Sequence, residues 1–253
     1  MELDRRYKKY IILSSLLFVL VLFLFIILPL NNSSKIPARE KTQVLLKKME
    51  KQDVSDINKQ IQEAQKTVAL NRASTPLESL NIQFQDAIII GDSIGEGLVD
   101  YQILSADTVL AVRGLRINNC EEQIQTAISR APSAIFLEFG MNDMGYWRGN
   151  VSGFIDAYKE KVETIQKALP KTKIYVNGIL PIAQQAITNN ASYASYPTFN
   201  EELKNMCKEK KINYIDNSFI INSMEVAFEF DGIHPKYEYY QKWAMNMAHE
   251  AGL

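Results

Sequence analysis

The hydrophobic positions of the chain change pattern twice, and each pattern predicts a different kind of element. Ile11 to Leu28 is a run of eighteen residues without a charge, closed by Pro29 and Leu30. As a helix, such a stretch spans ~30 Å, the thickness of a bilayer core. From Asn31 to about residue 80 the chain is polar, rich in Lys, Gln and Glu and free of glycine. Within it Val54, Ile57, Ile61, Ala64 and Val68 recur at steps of three and four. That spacing predicts an amphipathic helix, capped by Asp53 or Ser55. Residues 71–76 read as the linker that ends it. From Gln83 onward, compact apolar runs alternate with amphipathic segments. Ala87–Ile90, Val109–Val112, Ala134–Phe139, Ile174–Val176 and Tyr214–Ile215 predict strands. Ile94–Tyr101, Ile117–Arg130, Val151–Leu169 and Thr198–Lys211 predict the helices between them, and a last helix runs from about Lys236 to His249.

Strands that alternate with helices build a parallel sheet covered on both faces. The expected fold is therefore α/β, a flavodoxin-like three-layer sandwich with a five-stranded parallel sheet over residues 83–253. Before it come a cytoplasmic N-terminus (1–10), a transmembrane anchor (11–30) and a helical stalk (31–80). Arg5, Arg6, Lys8 and Lys9 precede the apolar run, which sets the N-terminus in the cytoplasm and carries the rest across the plasma membrane as a single-pass protein. A cleaved signal peptide fits less well, because the run is long for one and no Ala-x-Ala-like site follows. The heptad-like seam serves either as a spacer helix or for self-association through the stalk.

Composition narrows the chemistry. The formal net charge is −1, so no basic field points to nucleic acid. The two cysteines, Cys120 and Cys207, fall in predicted helices, and neither a disulfide nor a metal spacing is expected of them. With only two histidines, any histidine-dependent mechanism must use His234 or His249. No metal or cofactor is expected. In open parallel sheets ligands bind beyond the carboxyl ends of the strands, so the informative residues are those that leave each strand.

The first strand runs into Gly91-Asp92-Ser93-Ile94-Gly95-Glu96-Gly97. Alone, the string fits a nucleophile elbow, a dinucleotide loop, or the Gly-Asp-Ser block of a third family. The rest of the chain decides. The second strand leads into Arg113-Gly114, and the third into Gly140-Met141-Asn142-Asp143. Asp231-Gly232-Ile233-His234-Pro235 precedes the last helix. These four blocks, in this order and at these strand ends, resemble the SGNH (GDSL-type) hydrolases over roughly residues 86–253. Ile94 stands where the family name expects leucine.

A serine hydroxyl becomes a nucleophile when a base takes its proton, and an imidazole does so near neutral pH. The catalytic candidates are Ser93 as nucleophile, His234 as base, and Asp231 as the acid that fixes the imidazole tautomer. The resemblance supplies an oxyanion hole made of the backbone N–H groups of Ser93 and Gly114 and the side-chain amide of Asn142. Glycine at 114 suits a backbone that approaches a substrate closely. Asp92, Asp143, Tyr146 and Trp147 are candidates for substrate contact, and residues 183–197 for a lid or rim. His249 is read as a helix-end histidine without a catalytic role.

The rival readings lack parts. A dehydrogenase would need Tyr-x-x-x-Lys, which the chain does not contain. An α/β-hydrolase keeps its acid and histidine on loops far apart in sequence, whereas here they are three residues apart. A non-catalytic binding module would not need every catalytic position filled. The resemblance thus implies an extracytoplasmic serine esterase acting on short acyl esters, acetyl first among them, on cell-envelope or extracellular carbohydrate or another small ester. The alternative is an O-acetyltransferase served by a separate membrane acyl donor protein.

Overall fold

The computed structural model describes residues 77–253. The expected anchor and nearly all of the stalk lie outside them. Among the described residues no helix is long and apolar enough to cross a membrane.

The chain enters through helix α1 (Leu77–Gln83), followed by a 3-10 turn (Phe84–Asp86). Strands β1 (Ala87–Gly91), β2 (Val109–Ala111), β3 (Ala134–Glu138), β4 (Lys173–Asn177) and β5 (Asn213–Ile215) form one sheet in the order β2-β1-β3-β4-β5. Every pairing is parallel. All five residues of β1 and of β3 are buried, as strands covered on both faces must be. The main helices are α2 (Ser93–Asp100), α3 (Glu121–Arg130), α4 (Met141–Trp147), α5 (Val151–Ala168), α6 (Gln184–Asn189), α7 (Tyr196–Lys210), α8 (Ser218–Asn222) and α9 (Tyr237–Ala251). Helices α3, α5 and α7 pack side by side, while α9 packs against α1, α2 and α8.

Parallel strands need crossovers, and a crossover that moves outward one way and then returns past its start leaves a gap in the order. Here the chain goes from β1 to β2 on one side and then back to β3 on the other. The switch point is between β1 and β3. Gly91 is paired with Ala111 on one flank and Glu138 on the other. The residues that follow β1, β2 and β3 are thereby brought to one edge of the sheet.

The packed unit begins earlier than Gln83, the boundary expected from sequence. Leu80 and Phe84 are fully buried, and α1 packs on α9. Asn81 donates to Ile103 O at 3.4 Å and accepts from Ser105 N at 2.7 Å, which ties α1 to the loop after α2. Residues 77–82 therefore belong to the domain rather than to stalk or linker. Helix α9 supplies Tyr239, Tyr240 and Trp243, all buried, each stabilising the fold by on the order of 2–3 kcal/mol relative to exposure. A buried amide chain joins this helix to the sheet. Trp243 Nε1 and Asn217 Nδ2 donate to Asn177 Oδ1 at 3.1 and 2.9 Å, and Asn246 Nδ2 donates to Asn217 Oδ1 at 2.9 Å. Cys120 and Cys207 are separately buried and unpaired, and burial pushes both thiols up to about 12.

Candidate active site

Strand β1 stops at Gly91, and Asp92 takes an extended conformation that caps α2: its Oδ1 accepts from Ile94 N at 3.0 Å. Ser93 is thus the first residue of the helix, partly exposed at the switch point. Across from it, His234 Nε2 lies 2.9 Å from Ser93 Oγ, and His234 Nδ1 lies 2.5 Å from Asp231 Oδ2. The acid is fixed by its own loop, since Asp231 Oδ1 accepts from Ile233 N at 2.9 Å and His234 N at 3.0 Å. Burial pushes the Asp231 carboxyl up. The His234 ring and these two N–H groups outweigh that effect and hold it below the usual carboxylate range. An ionised Asp231 claims the proton on Nδ1, which leaves the Nε2 lone pair facing Ser93. The three residues singled out from sequence are therefore joined in one contact chain.

The expected oxyanion donors Ser93, Gly114 and Asn142 follow the ends of β1, β2 and β3 in turn. The loop after β2 is pinned by Arg113 N donating to Glu96 Oε1 at 2.9 Å. Gly114 has φ +79°, and a Cβ placed there would meet nothing within 4 Å. The glycine is required by its left-handed backbone, not by crowding from the protein. Asn142 lies in the first turn of α4. The bend before it is Gly140 at φ +140°, where a Cβ would come within 2.3 Å of Ile179. Asn142 Nδ2 donates to Asp92 Oδ2 at 2.9 Å and, at the longer distance of 3.3 Å, to Leu115 O. The amide links the loops that leave β1, β2 and β3.

Three of the four expected substrate-contact residues turn out to do other work. Asp92 and Asp143 are both completely buried and offer no surface to a ligand. Asp92 caps α2 and receives the Asn142 amide. Asp143 Oδ1 accepts from Ile117 N at 3.2 Å and Trp147 Nε1 at 3.3 Å, fastening the β2 loop to α4. Burial pushes its carboxyl up to about 7. Trp147 is half-buried and packs where a Cβ on Gly153 would be only 2.6 Å away. Tyr146 remains 51% exposed, but the Arg116 guanidinium lies 4.6 Å over its ring and Trp147 meets it edge-on.

The segment 183–197 is structured: it forms α6, a 3-10 turn (Ala191–Ser195) and the start of α7. It braces the histidine loop, with Ala183 N donating to Gly232 O at 3.0 Å and Gln185 Nε2 to Phe230 O at 2.8 Å. The 3-10 turn packs against α4. Residues 183–197 thus form a braced rim.

Two site residues had escaped the sequence reading. Phe230, next to Asp231, is 98% exposed. Glu138 ends β3, and its Oε2 accepts from Asp92 N at 3.3 Å. A lone acid in an otherwise apolar strand was the available signal for the second. Among the described residues no group of three or more His, Cys, Asp or Glu side chains is placed to hold a metal ion. His249 lies in the last turn of α9, and Gly252 N bonds to its backbone carbonyl at 3.2 Å.

The comparisons with known proteins agree with this architecture. A GDSL-like lipase from Bacteroides thetaiotaomicron superposes with a TM-score of 0.55 at 14% identity, covering 74% of this chain and 97% of its own. A catalytic mutant of an acetylxylan esterase from Geobacillus stearothermophilus gives 0.52 at 12% identity, covering 66% and 94%. A carbohydrate esterase family 3 protein from Talaromyces cellulolyticus gives 0.51 at 16%, covering 65% and 94%. At these identities the likeness speaks for the fold. No curated protein matches in sequence. The GDSL-like lipase/acylhydrolase family profile matches residues 89–242, a stretch that holds Ser93, Gly114, Asn142, Asp231 and His234 together. The chain belongs to the GDSL-like lipase/acylhydrolase family and is a carboxylic-ester hydrolase of that type.

Proposed function

We propose that this chain is an extracytoplasmic serine esterase that removes short acyl groups, acetyl first among them, from cell-envelope or extracellular carbohydrate. The observation that carries the reading is the contact chain Asp231–His234–Ser93, at 2.5 and 2.9 Å. Ser93 Oγ attacks the ester carbonyl as His234 Nε2 takes its proton. Asp231 stabilises the imidazolium that results. The oxyanion is received by the N–H groups of Ser93 and Gly114 and by the Asn142 amide proton now directed at Leu115 O, the weaker of its two bonds. His234 then returns its proton to the departing sugar hydroxyl. A water molecule enters, gives a proton to the same nitrogen, and releases the acid from Ser93.

Several observations support the substrate class. The side chains of His234 and Asp231 are 38% and 44% exposed, so the reacting ester is approached from an open surface rather than through a tunnel. Such a site suits an acyl group on a bulky sugar. Two proteins of like fold bear the names acetylxylan esterase and carbohydrate esterase. An anchored domain also meets envelope and extracellular glycans first. The single-pass anchor rests on the apolar run 11–30 and the basic residues before it. Protease added to intact cells is expected to digest the chain after about Asn31 and to spare an N-terminal tag. A domain released into the medium without residues 11–30 would refute the anchor.

The acyl-serine intermediate has two fates, attack by water or by a second sugar hydroxyl. The full-length protein is expected to release free acetate from acetylated oligosaccharides. A large excess of unacetylated oligosaccharide should divert only a minor share of the acetyl. Mass spectrometry of the sugar, read alongside acetate release, makes the measurement. If most of the acetyl moves to the sugar and acetate falls as acceptor rises, the protein is an O-acetyltransferase that depends on a separate acyl donor protein.

A further inference from the structure

Beneath Ser93 lies a buried acid that the reaction itself does not use. Glu138 is 8% exposed at the end of β3. The glycines on either side of the nucleophile leave room for it. A Cβ on Gly91 would come within 2.7 Å of Glu138 Oε2, and one on Gly95 within 3.5 Å. Glu138 Oε2 accepts from Asp92 N at 3.3 Å, which sets its buried carboxyl next to the likewise buried Asp92. Two carboxyl groups buried side by side do not both ionise, and one of them keeps its proton.

The surroundings decide which one. Asp92 receives two further donors, Ile94 N on Oδ1 and Asn142 Nδ2 on Oδ2, at 3.0 and 2.9 Å. It also sits at the positive end of α2. These favour its anion. Glu138 is enclosed by strand ends, and burial together with the Asp92 charge drives its carboxyl well above the usual range. Burial raises Asp92 only to about 6, because its donors oppose the rise.

We propose that Glu138 is a positioning residue for the oxyanion site: a neutral acid that keeps its proton, points it at Asp92 as a hydrogen bond, and so holds Asp92 as an ionised acceptor for the Asn142 amide. A primary amide can rotate by half a turn and exchange its oxygen and nitrogen. With Asp92 ionised, the rotated amide would set oxygen against oxygen, so the nitrogen stays where an oxyanion needs it. A protonated Asp92 would weaken that selectivity, leaving it to the longer bond to Leu115 O at 3.3 Å. Glu138 thus acts on the reaction through Asp92 and Asn142 without touching substrate. The inference rests on the esterase reading with Asn142 as an oxyanion donor.

The test uses the full-length protein and an aryl acetate. Ser93-dependent turnover, and a fall in kcat of ~10²–10³ with little change in KM for Asn142→Ala, report on the esterase reading alone. Given both, Glu138→Ala is expected to lower kcat by at least ~10-fold with KM nearly constant. Glu138→Gln, a neutral donor of the same shape, should restore most of that loss. The Glu138→Ala change should cost little when added to Asn142→Ala, since the two act on one interaction. Losses that multiply in the double variant, or a glutamine no better than alanine, would overturn the proposal. Infrared difference spectra between the parent protein and Glu138→Gln provide a measurement that does not depend on whether Glu138→Ala folds. They should show the carbonyl stretch of a protonated carboxyl at neutral pH, and a carboxylate signal in its place refutes the assignment.

Discussion

Ser93→Ala removes the Ser93-dependent turnover of a short aryl acetate, a loss on the order of 10⁵–10⁶ in rate, and leaves the fold in place. The size of the effect follows from the chemistry. Without Oγ there is no acyl intermediate, and water must be activated by a histidine placed for a different atom. The fold survives because the helix cap belongs to Asp92, whose carboxylate accepts from Ile94 N at 3.0 Å and does not involve the serine side chain. A fluorophosphonate should label Ser93 in the parent protein and nothing in the variant. Equal activity of the two proteins, with matching thermal unfolding, would remove Ser93 from the mechanism.

The two histidines separate the site from the scaffold. His234→Ala is expected to lower the rate by ~10³-fold or more, since it takes away the imidazole that meets Ser93 Oγ at 2.9 Å. His249→Ala should stay within ~2-fold of the parent rate. The bond made at residue 249 is from Gly252 N to its backbone carbonyl, which alanine keeps. Steady-state rates on one acetate ester decide the matter. Comparable losses at the two positions would mean that the base lies elsewhere.

Most of the fold was legible because the strands are continuous apolar runs. Ala134–Phe139 was read as a strand, and β3 occupies Ala134–Glu138. The first three blocks follow the ends of β1, β2 and β3, which the sheet brings together, whereas the Asp231–His234 block lies in the loop between α8 and α9. Short helices were not legible. Helix α4 has seven residues and α8 five, too few to show a period, so neither stands among the expected helices. The start of the domain was misplaced because α1 buries Leu80 across a helix of only seven residues, at the end of a polar stretch. Asp92 and Asp143 were taken for substrate contacts because a polar residue beside a catalytic one looks exposed in a sequence. The sheet edge buries both. Tyr146 and Trp147 depended on partners distant in sequence, Arg116 and Asp143 among them, that no local pattern reveals.

The loop that carries Asp231 and His234 is closed on itself. Phe228 bridges Pro235, Glu229 N donates to His234 O at 2.8 Å, and Asp231 holds the backbone of residues 233 and 234. Its ties to α6 are two bonds, through Gly232 O and Phe230 O. Acid and base therefore sit on one internally bonded segment, which is expected to open as a unit before the sheet does. When it opens, imidazole and carboxylate leave Ser93 together with their mutual register intact, and when it closes they return already paired. Loss of activity on mild heating is then expected to precede loss of the core and to reverse on cooling, because the serine stays on its helix and only a preassembled loop has to find it again.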